Sequence, residues 1–467
     1  MSKRTFVILV FGLLVLQLVL ASWAPPAADE LYYWCWSKDL QLSYYDHGPL
    51  TAYVIRLSTL VFGDTVFAMR LPACLCICGM LLLLVRLTRP IMPLGWVLLT
   101  PPCFVFAVVI TPDAPLQLFW TAYLVWLVGL HESLTTEMGA SWPRWLAGGL
   151  LLGLGILSKY TMGLAGISAA LSLISVRPWR KWFFGFLVHG AVAAAVSSPI
   201  LLYNLQEHFA PLYFQWQHVV LGETPTIRYL PEFVGGQILA VGILPLALTL
   251  WLIRRRQTLS ADPRLRACLF LFLVPYLFFL FKAARGRLEI NWPIMAYSAF
   301  WPLASYWFEQ MGSRDLVRRL GYATFAIPIG ASIALIWHLI SPFSFVPPPK
   351  DILTRYGSYY SLSQQVGRTV TKLGADHPVF TPNHQLTSYL RFQHLCAEQI
   401  PGLVRDSHFT QRPFPWDEQG SIFVLYEGVL PNQYFPGFAF SEVVGQFPLI
   451  SRGQELTRFT LSRYVHK

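Results

Sequence analysis

The chain is short of charge. Charged residues fill 13% of its 467 positions and hydrophobic residues fill 55%. An average soluble domain carries roughly 25% charged residues. That shortage excludes a disordered chain and argues against an ordinary cytosolic enzyme. Disulfide scaffolding is missing too: the seven cysteines are odd in number and sit mostly in apolar runs. Cys74, Cys76 and Cys78 are spaced for helix packing rather than metal binding. Cys35 and Cys396, both outside the apolar runs, are the one pair that could bond. No Gly-rich phosphate loop, dinucleotide fingerprint or zinc-protease motif is present. No internal repeat stands out either, which argues against a transporter built from inverted repeats.

What is there in quantity is apolar sequence. A spanning helix needs about 20 mostly apolar residues. Eleven runs qualify as spans, at 5–24, 68–85, 91–110, 114–130, 145–158, 160–176, 183–203, 233–253, 267–281, 293–308 and 320–341. The first is too long for the apolar core of a signal peptide, so an uncleaved helix is expected. The net charge of +11 suggests an anionic partner until the charges are sorted by side. With a cytoplasmic N-terminus, inner loops carry sixteen Lys and Arg, and outer connections before residue 342 carry eight. The bias follows the positive-inside rule, and no nucleic-acid partner is expected. Eleven spans then place the C-terminus outside.

Two outer connections are long, 25–67 and 204–232. The first is rich in Tyr and Trp, and its stretch 50–62 has the pattern of an amphipathic helix. After residue 341 the composition changes. Pro342 and Pro347 to Pro349 form a stiff linker. The remainder has short β-like runs at 379–381, 422–426 and 456–464 and helix-like stretches at 361–373 and 385–392. The expected fold is therefore an all-α polytopic membrane domain over 1–341, with a small extracytoplasmic α/β domain over 342–467.

The residues that could carry chemistry all fall on the outer side. Asp29-Glu30 follows the first span and is either a solvated pair or a general base near the bilayer. Tyr44-Tyr45-Asp46-His47-Gly48-Pro49 leads into a helix, where Asp46 and His47 suit an N-cap, a phosphate or a metal ion. His208 and His218 could join Asp46 around a metal, although the usual ligand spacing is absent. Asp113 sits in the hairpin after the third span and either caps the next helix or faces a cavity. Lys159, in the hairpin after the fifth span, either snorkels or meets a lipid phosphate. Lys282, Arg285 and Arg287 oppose the positive-inside rule. A phosphate-binding loop explains that exception better than topology does. Acids and phosphate-capable bases on one face point to an enzyme acting on a lipid phosphate at the outer leaflet.

The joint order of these motifs resembles a known family. Asp29-Glu-Leu-Tyr-Tyr-Trp, Tyr44-Tyr-Asp-His-Gly-Pro, Phe62-Gly-Asp with Arg70-Leu-Pro, Thr111-Pro-Asp-Ala-Pro-Leu, Leu157-Ser-Lys-Tyr-Thr and Glu289-Ile-Asn-Trp-Pro resemble bacterial membrane glycosyltransferases. These are the protein O-mannosyltransferase-like family of the GT-C superfamily, which includes the lipid A aminoarabinose transferase. The resemblance covers residues 1–300 well and the tail loosely. It implies an inverting transfer of a sugar from a polyprenyl-phosphate donor to a cell-envelope acceptor, lipid A or another lipopolysaccharide glycan. The setting is the outer face of the bacterial inner membrane.

By position, Asp29 is similar to the family's general base, with Glu30 beside it, and Asp113 to its second acid. His47 and Lys159 are similar to residues that approach the carrier phosphate, with Arg285 and Arg287 in support. Tyr44, Tyr45, Tyr160, Glu289 and Asn291 lie inside the matching motifs and are expected to contact substrate. Asp46 is similar to a residue that contacts a divalent metal ion in some relatives; no other cofactor is implied. Three positions depart from the family. Gly48 stands where Pro is frequent, which predicts a looser start to the following helix. Ile290 also stands where Pro is frequent. His47 stands where the aminoarabinose transferase has Lys, which weakens transfer of that sugar specificity. The other readings are a protein O-glycosyltransferase of the same class and a polyprenyl-phosphate lipid flippase without chemistry.

Overall fold

A computed structural model describes residues 1–88, 92–135, 139–174, 176–216, 228–311, 315–374, 378–411, 414–415, 419–428, 430 and 434–467. His218 and the middle of the second long connection lie outside the described residues. Nineteen α-helices and five strands are present among those described. In chain order the helices are α1 (Lys3–Trp23), α2 (Ala28–Lys38), α3 (Leu50–Phe62), α4 (Val66–Leu84), α5 (Met92–Val97), α6 (Pro101–Phe104), α7 (Asp113–Leu134), α8 (Trp142–Ser158), α9 (Gly163–Leu173) and α10 (Phe183–Gln206). They continue as α11 (Ala210–Trp216), α12 (Leu230–Val241), α13 (Leu244–Arg254), α14 (Arg256–Ala261), α15 (Pro263–Ala283), α16 (Tyr297–Met311), α17 (Asp315–Ile340), α18 (Ile352–Lys372) and α19 (His384–Phe392). The strands are β1 (Val379–Thr381), β2 (Ala397–Gln399), β3 (Ser421–Tyr426), β4 (Phe438–Ser451) and β5 (Gln454–His466).

The described residues form two compact units. One comprises Met1–Ser22 and His47–Ile336, the other Trp23–Asp46 and Trp337–Lys467. The division runs through the first long connection, between Asp46 and His47.

The first unit is helical. Five helices, α1, α4, α10 with its preceding turn, α15 and the main part of α17, are long and apolar enough to cross a membrane. Two expected spans are broken, for local reasons. The run 91–110 is interrupted where Pro101 and Pro102 follow Thr100, since a proline ring clashes with a preceding helical turn. The run 233–253 becomes α12 and α13, which meet at 102°. Gly242 sits at that corner with φ of 85°, and a side chain there would overlap the Thr324 carbonyl. The amphipathic stretch 50–62 is a helix: α3 buries Ala52, Ile55 and Ser58 and exposes Leu57, Leu60 and Val61. Arg70, expected in an outer connection, lies inside α4, almost fully buried. Its guanidinium donates to the Ala21 carbonyl at the end of α1, at 3.1 Å, which answers an orphan carbonyl of that helix.

Close packing in this unit relies on glycine. Gly149 and Gly153, four apart on α8, face α10. A Cβ on the first would press on the His189 carbonyl and Val192, and one on the second on Val196 and the Ala193 carbonyl. Small residues at this spacing let helix backbones approach where lipid gives no hydrophobic push.

The second unit holds a five-stranded mixed sheet in the order β2-β1-β3-β5-β4. β1 pairs in parallel with β2 and β3, and β5 pairs antiparallel with β3 and β4. Both faces of β3 are covered. Phe423 and Leu425 join Leu362, Val366 and Val370 of α18 and Leu386 and Leu390 of α19. Ile422 and Val424 join Phe380, Phe435 and Tyr464 on the other face. A strand covered on both sides reads as a continuous apolar run, which is why it was visible in the sequence. β4 was not visible. It is exposed through its middle, carries Gly445 and Pro448, and shifts register three times against β5.

The proline segment is tied down within this unit. His338 Nε2 lies 3.0 Å from both Asp351 carboxylate oxygens, and Arg452 donates to Asp351 at 3.5 Å. Burial opposes the Asp351 charge, but hydrogen bonds from His338 and Thr354 outweigh it and hold this carboxyl below its usual range.

Replacing Gly149 with Val should destabilise the helical unit by about 1–3 kcal/mol through overpacking. The purified protein's thermal midpoint reads this out. An unchanged midpoint would show that α8 and α10 are not held as close as described.

Candidate active site

In the first unit, residues from three of the sequence motifs meet around one carboxylate. Asp113 opens α7 directly after Pro112, in the turn where a helix N-terminus favours negative charge. Lys159 follows the last residue of α8 and has left the helical conformation, with φ of −153°. Its Nζ lies 2.8 Å from Asp113 Oδ1, and both side chains are about nine-tenths buried. Asn291 Nδ2 donates to the other oxygen, Oδ2, at 2.7 Å. Ser158 Oγ donates to the Pro112 carbonyl at 2.6 Å, fastening the same two chain turns a second time. Trp292 places its ring 5.9 Å from the Lys159 ammonium.

Further residues hold this cluster in register. Gln237 of α12 donates to the Ile290 carbonyl at 3.0 Å, and Tyr297 donates to Gln237 Oε1 at 2.6 Å. Gly48 packs against the backbone at Leu157, where a Cβ would overlap the Leu157 carbonyl. The glycine expected to loosen the start of α3 is instead what allows its close approach to the Leu157-Ser158-Lys159 motif.

The remaining candidates in this unit are differently placed. His47 and Tyr160 are half-buried. Glu289 is exposed. Arg287 is exposed and lies 3.4 Å from the exposed Glu232 carboxylate. Arg285 is half-buried with its guanidinium over the Phe281 ring, 5.4 Å from the centroid.

In the second unit the two neighbouring acids part company. Asp29 is exposed on the first turn of α2. Glu30 is fully buried, and its Oε2 accepts from the Ala27 N–H at 2.9 Å, capping the helix from within. Tyr44 stacks on Trp36 with ring centroids 4.5 Å apart and donates to the Trp36 carbonyl at 2.8 Å. Tyr45 is buried, which pushes its hydroxyl pKa up, with Asp406 and Asp46 adding to the effect.

Asp46 is engaged within its own unit. Its Oδ2 accepts from the Tyr32 hydroxyl at 2.8 Å and its Oδ1 from Arg405 at 3.2 Å, so a guanidinium already supplies the positive charge. Among the described residues, no group of three or more His, Cys, Asp or Glu side chains could hold a metal ion. Cys35 and Cys396, which could have paired, do not: both thiols are free. Burial pushes the Cys35 thiol up to about 12.

Three residues of this unit were not singled out from the sequence. Tyr32 accepts from the His408 N–H at 2.7 Å while donating to Asp46, and burial first, then Asp46, raise its pKa. Arg405 reaches Asp46 across 359 residues of chain. Tyr389 donates to the Pro26 carbonyl at 2.9 Å. The one local signal was Ser407 with Thr410, whose reciprocal cap fixes the turn next to Arg405. The partnerships themselves leave no local trace.

Comparison with known proteins agrees with the motif reading. Residues 46–203 match the model of the dolichyl-phosphate-mannose-protein mannosyltransferase family. The chain is 24% identical over 455 residues to the lipid A galacturonosyltransferase RgtD of Rhizobium johnstonii, covering 92% of each chain. It is 27% identical over 329 residues to undecaprenyl phosphate-alpha-4-amino-4-deoxy-L-arabinose arabinosyl transferase 2 of Proteus mirabilis, covering 65% of this chain and 57% of that one. Its fold is that of ArnT from Cupriavidus metallidurans, solved bound to undecaprenyl phosphate. The TM-score is 0.65 at 15% identity, with 99% of this chain and 98% of that one covered. The resemblance to bacterial membrane glycosyltransferases of the GT-C type is borne out.

The Asp113 and Lys159 charges should depend on each other. Asp113→Asn or Lys159→Met alone should cost about 3–5 kcal/mol, because each strands a buried charge. The double variant should recover most of that loss in thermal unfolding. Losses that simply add would show that the two groups act independently.

Proposed function

We infer that this protein is a membrane glycosyltransferase that moves a sugar from an undecaprenyl-phosphate-type donor to lipid A or a related lipopolysaccharide glycan. The likeness to a lipid A galacturonosyltransferase over 92% of both chains carries this reading. The setting is the inner membrane, with eleven crossings, a cytoplasmic N-terminus and the sheet-bearing unit in the periplasm. The basic bias of the alternate loops supports that orientation.

The transfer inverts the anomeric centre. An acceptor oxygen attacks C1 of the donor sugar, and the bond from C1 to the phosphate oxygen breaks. The polyprenyl phosphate leaves with the electron pair, and the acceptor proton passes to a carboxylate. Asp29 is that base. Its neighbour Glu30 is taken up by the cap of α2, whereas the Asp29 side chain is exposed at the first turn. The Asp46 charge is answered by Arg405. Asp113 and Lys159 act as a neutral pair that fixes the Asn291-Trp292 segment, and the growing phosphate charge falls to other cations.

Two measurements test this reading. Deleting the gene should remove one sugar mass from lipid A or lipopolysaccharide in envelope mass spectrometry; a sugar lost from protein instead would move the acceptor to Ser or Thr. Asp29→Asn should lower transfer by about 10²–10⁴-fold, the usual weight of a general base, with undecaprenyl phosphate binding retained. Wild-type transfer by that variant would remove Asp29 from the chemistry.

A further inference from the structure

Among the described residues of the helical unit, Lys282 is a buried cation without an answering charge. Lys282 closes the last turn of α15 and is 5% exposed. Its Nζ has no hydrogen-bond partner among the described residues. Snorkelling does not account for it, since a snorkelling lysine carries its head to water. The carbonyls at this helix end are already used: Ala284 N–H donates to Phe281, and the Arg285 and Gly286 N–H groups both donate to Lys282. That tight turn keeps Arg285 one helical turn from Lys282, on a neighbouring position. Arg285 is likewise without a carboxylate among the described residues, and its Nε is buried without a partner.

Two other cations of the outer motifs are answered from within the protein. Lys159 pairs with Asp113, and Arg287 with Glu232. A buried ammonium beside a half-buried guanidinium, with no acid against either among the described residues, is an arrangement that an anion held between them would stabilise.

We propose that Lys282, together with Arg285, is the receptor for the phosphate of the carrier lipid, a role the sequence had spread over His47, Lys159, Arg285 and Arg287 without Lys282. Lys282 supplies a compact ammonium, and Arg285 a planar fork able to take two phosphate oxygens. The assignment rests on the glycosyltransferase reading above. It names the residues that hold the donor's anionic group and that stabilise the phosphate as it leaves.

The test uses the full chain in lipid nanodiscs, with undecaprenyl phosphate, undecaprenol and inorganic phosphate as probes. Wild-type protein should gain thermal stability from undecaprenyl phosphate and none from undecaprenol. Lys282→Met keeps the side-chain volume and removes the buried charge, so its ligand-free midpoint should match or exceed wild type. Its Kd for undecaprenyl phosphate should rise about tenfold or more, as when a charge-assisted hydrogen bond is lost. Lys282→Arg should bind nearly as wild type. A response of wild type to inorganic phosphate that Lys282→Met loses would show that the pair reads the free anion; a response to the lipid alone would tie it to the carrier. Unchanged affinity in Lys282→Met overturns the assignment, as does a fall in ligand-free midpoint that accounts for the lost affinity. If wild type binds no undecaprenyl phosphate, the functional reading itself fails; if wild type and Lys282→Met bind alike, only the present inference does.

Discussion

Two opposite charges sealed from water set the geometry of the helical unit. Taking a carboxylate and an ammonium out of solvent costs several kcal/mol each, and only close, well-made contacts offset that. Asp113 and Lys159 satisfy each other at 2.8 Å, and Asn291 takes the oxygen that Lys159 leaves. The start of α7, the end of α8 and the segment before α16 are therefore constrained together. Ser158 and Gly48 tighten the same junction through backbone contacts that no larger side chain at position 48 would allow. The pair is neutral as a whole. It holds Asn291 and lies beside the Trp292 ring.

The second unit shows the same economy in another form. Its aromatic segment from Trp23 to Asp46 is held by the tail of the chain, through Tyr389 at Pro26, the His408 N–H at Tyr32 and Arg405 at Asp46. Each contact answers a polar group that burial would otherwise leave unpaired. The Tyr and Trp rings in the segment are mostly buried against protein. The mixed sheet thus forms the platform of a composite domain rather than an appended module.

Much of the architecture was legible in the residues. Long apolar runs gave α1, α4, α10, α15 and α17, because hydropathy and length are local properties. The strands β1, β3 and β5 were visible through their apolar runs, whereas β4 and β2 were hidden by exposure and brevity. The site was legible as a set of residues and not as a set of bonds. Asp113, Lys159 and Asn291 could each be picked out by motif, yet nothing local says that the first two neutralise each other. Nor could spacing reveal that Asp46 meets Arg405, or that a glycine at 242 would fold one expected span into two helices. Those facts arise from long-range pairing and a single backbone angle.

The composite domain also imposes an order in time. Trp23–Asp46 leaves the ribosome early, but its partners begin at Trp337, about 290 residues later. At roughly 5–20 residues per second of synthesis, that is a wait of about 15–60 s. Throughout it, the rings of Tyr32, Tyr33, Trp34 and Trp36 have no folded domain to enter. The nascent chain must park this segment, in the bilayer surface or on a chaperone, while the helices between are inserted. A chain that stops before the tail is made would leave those rings without the contacts that bury them.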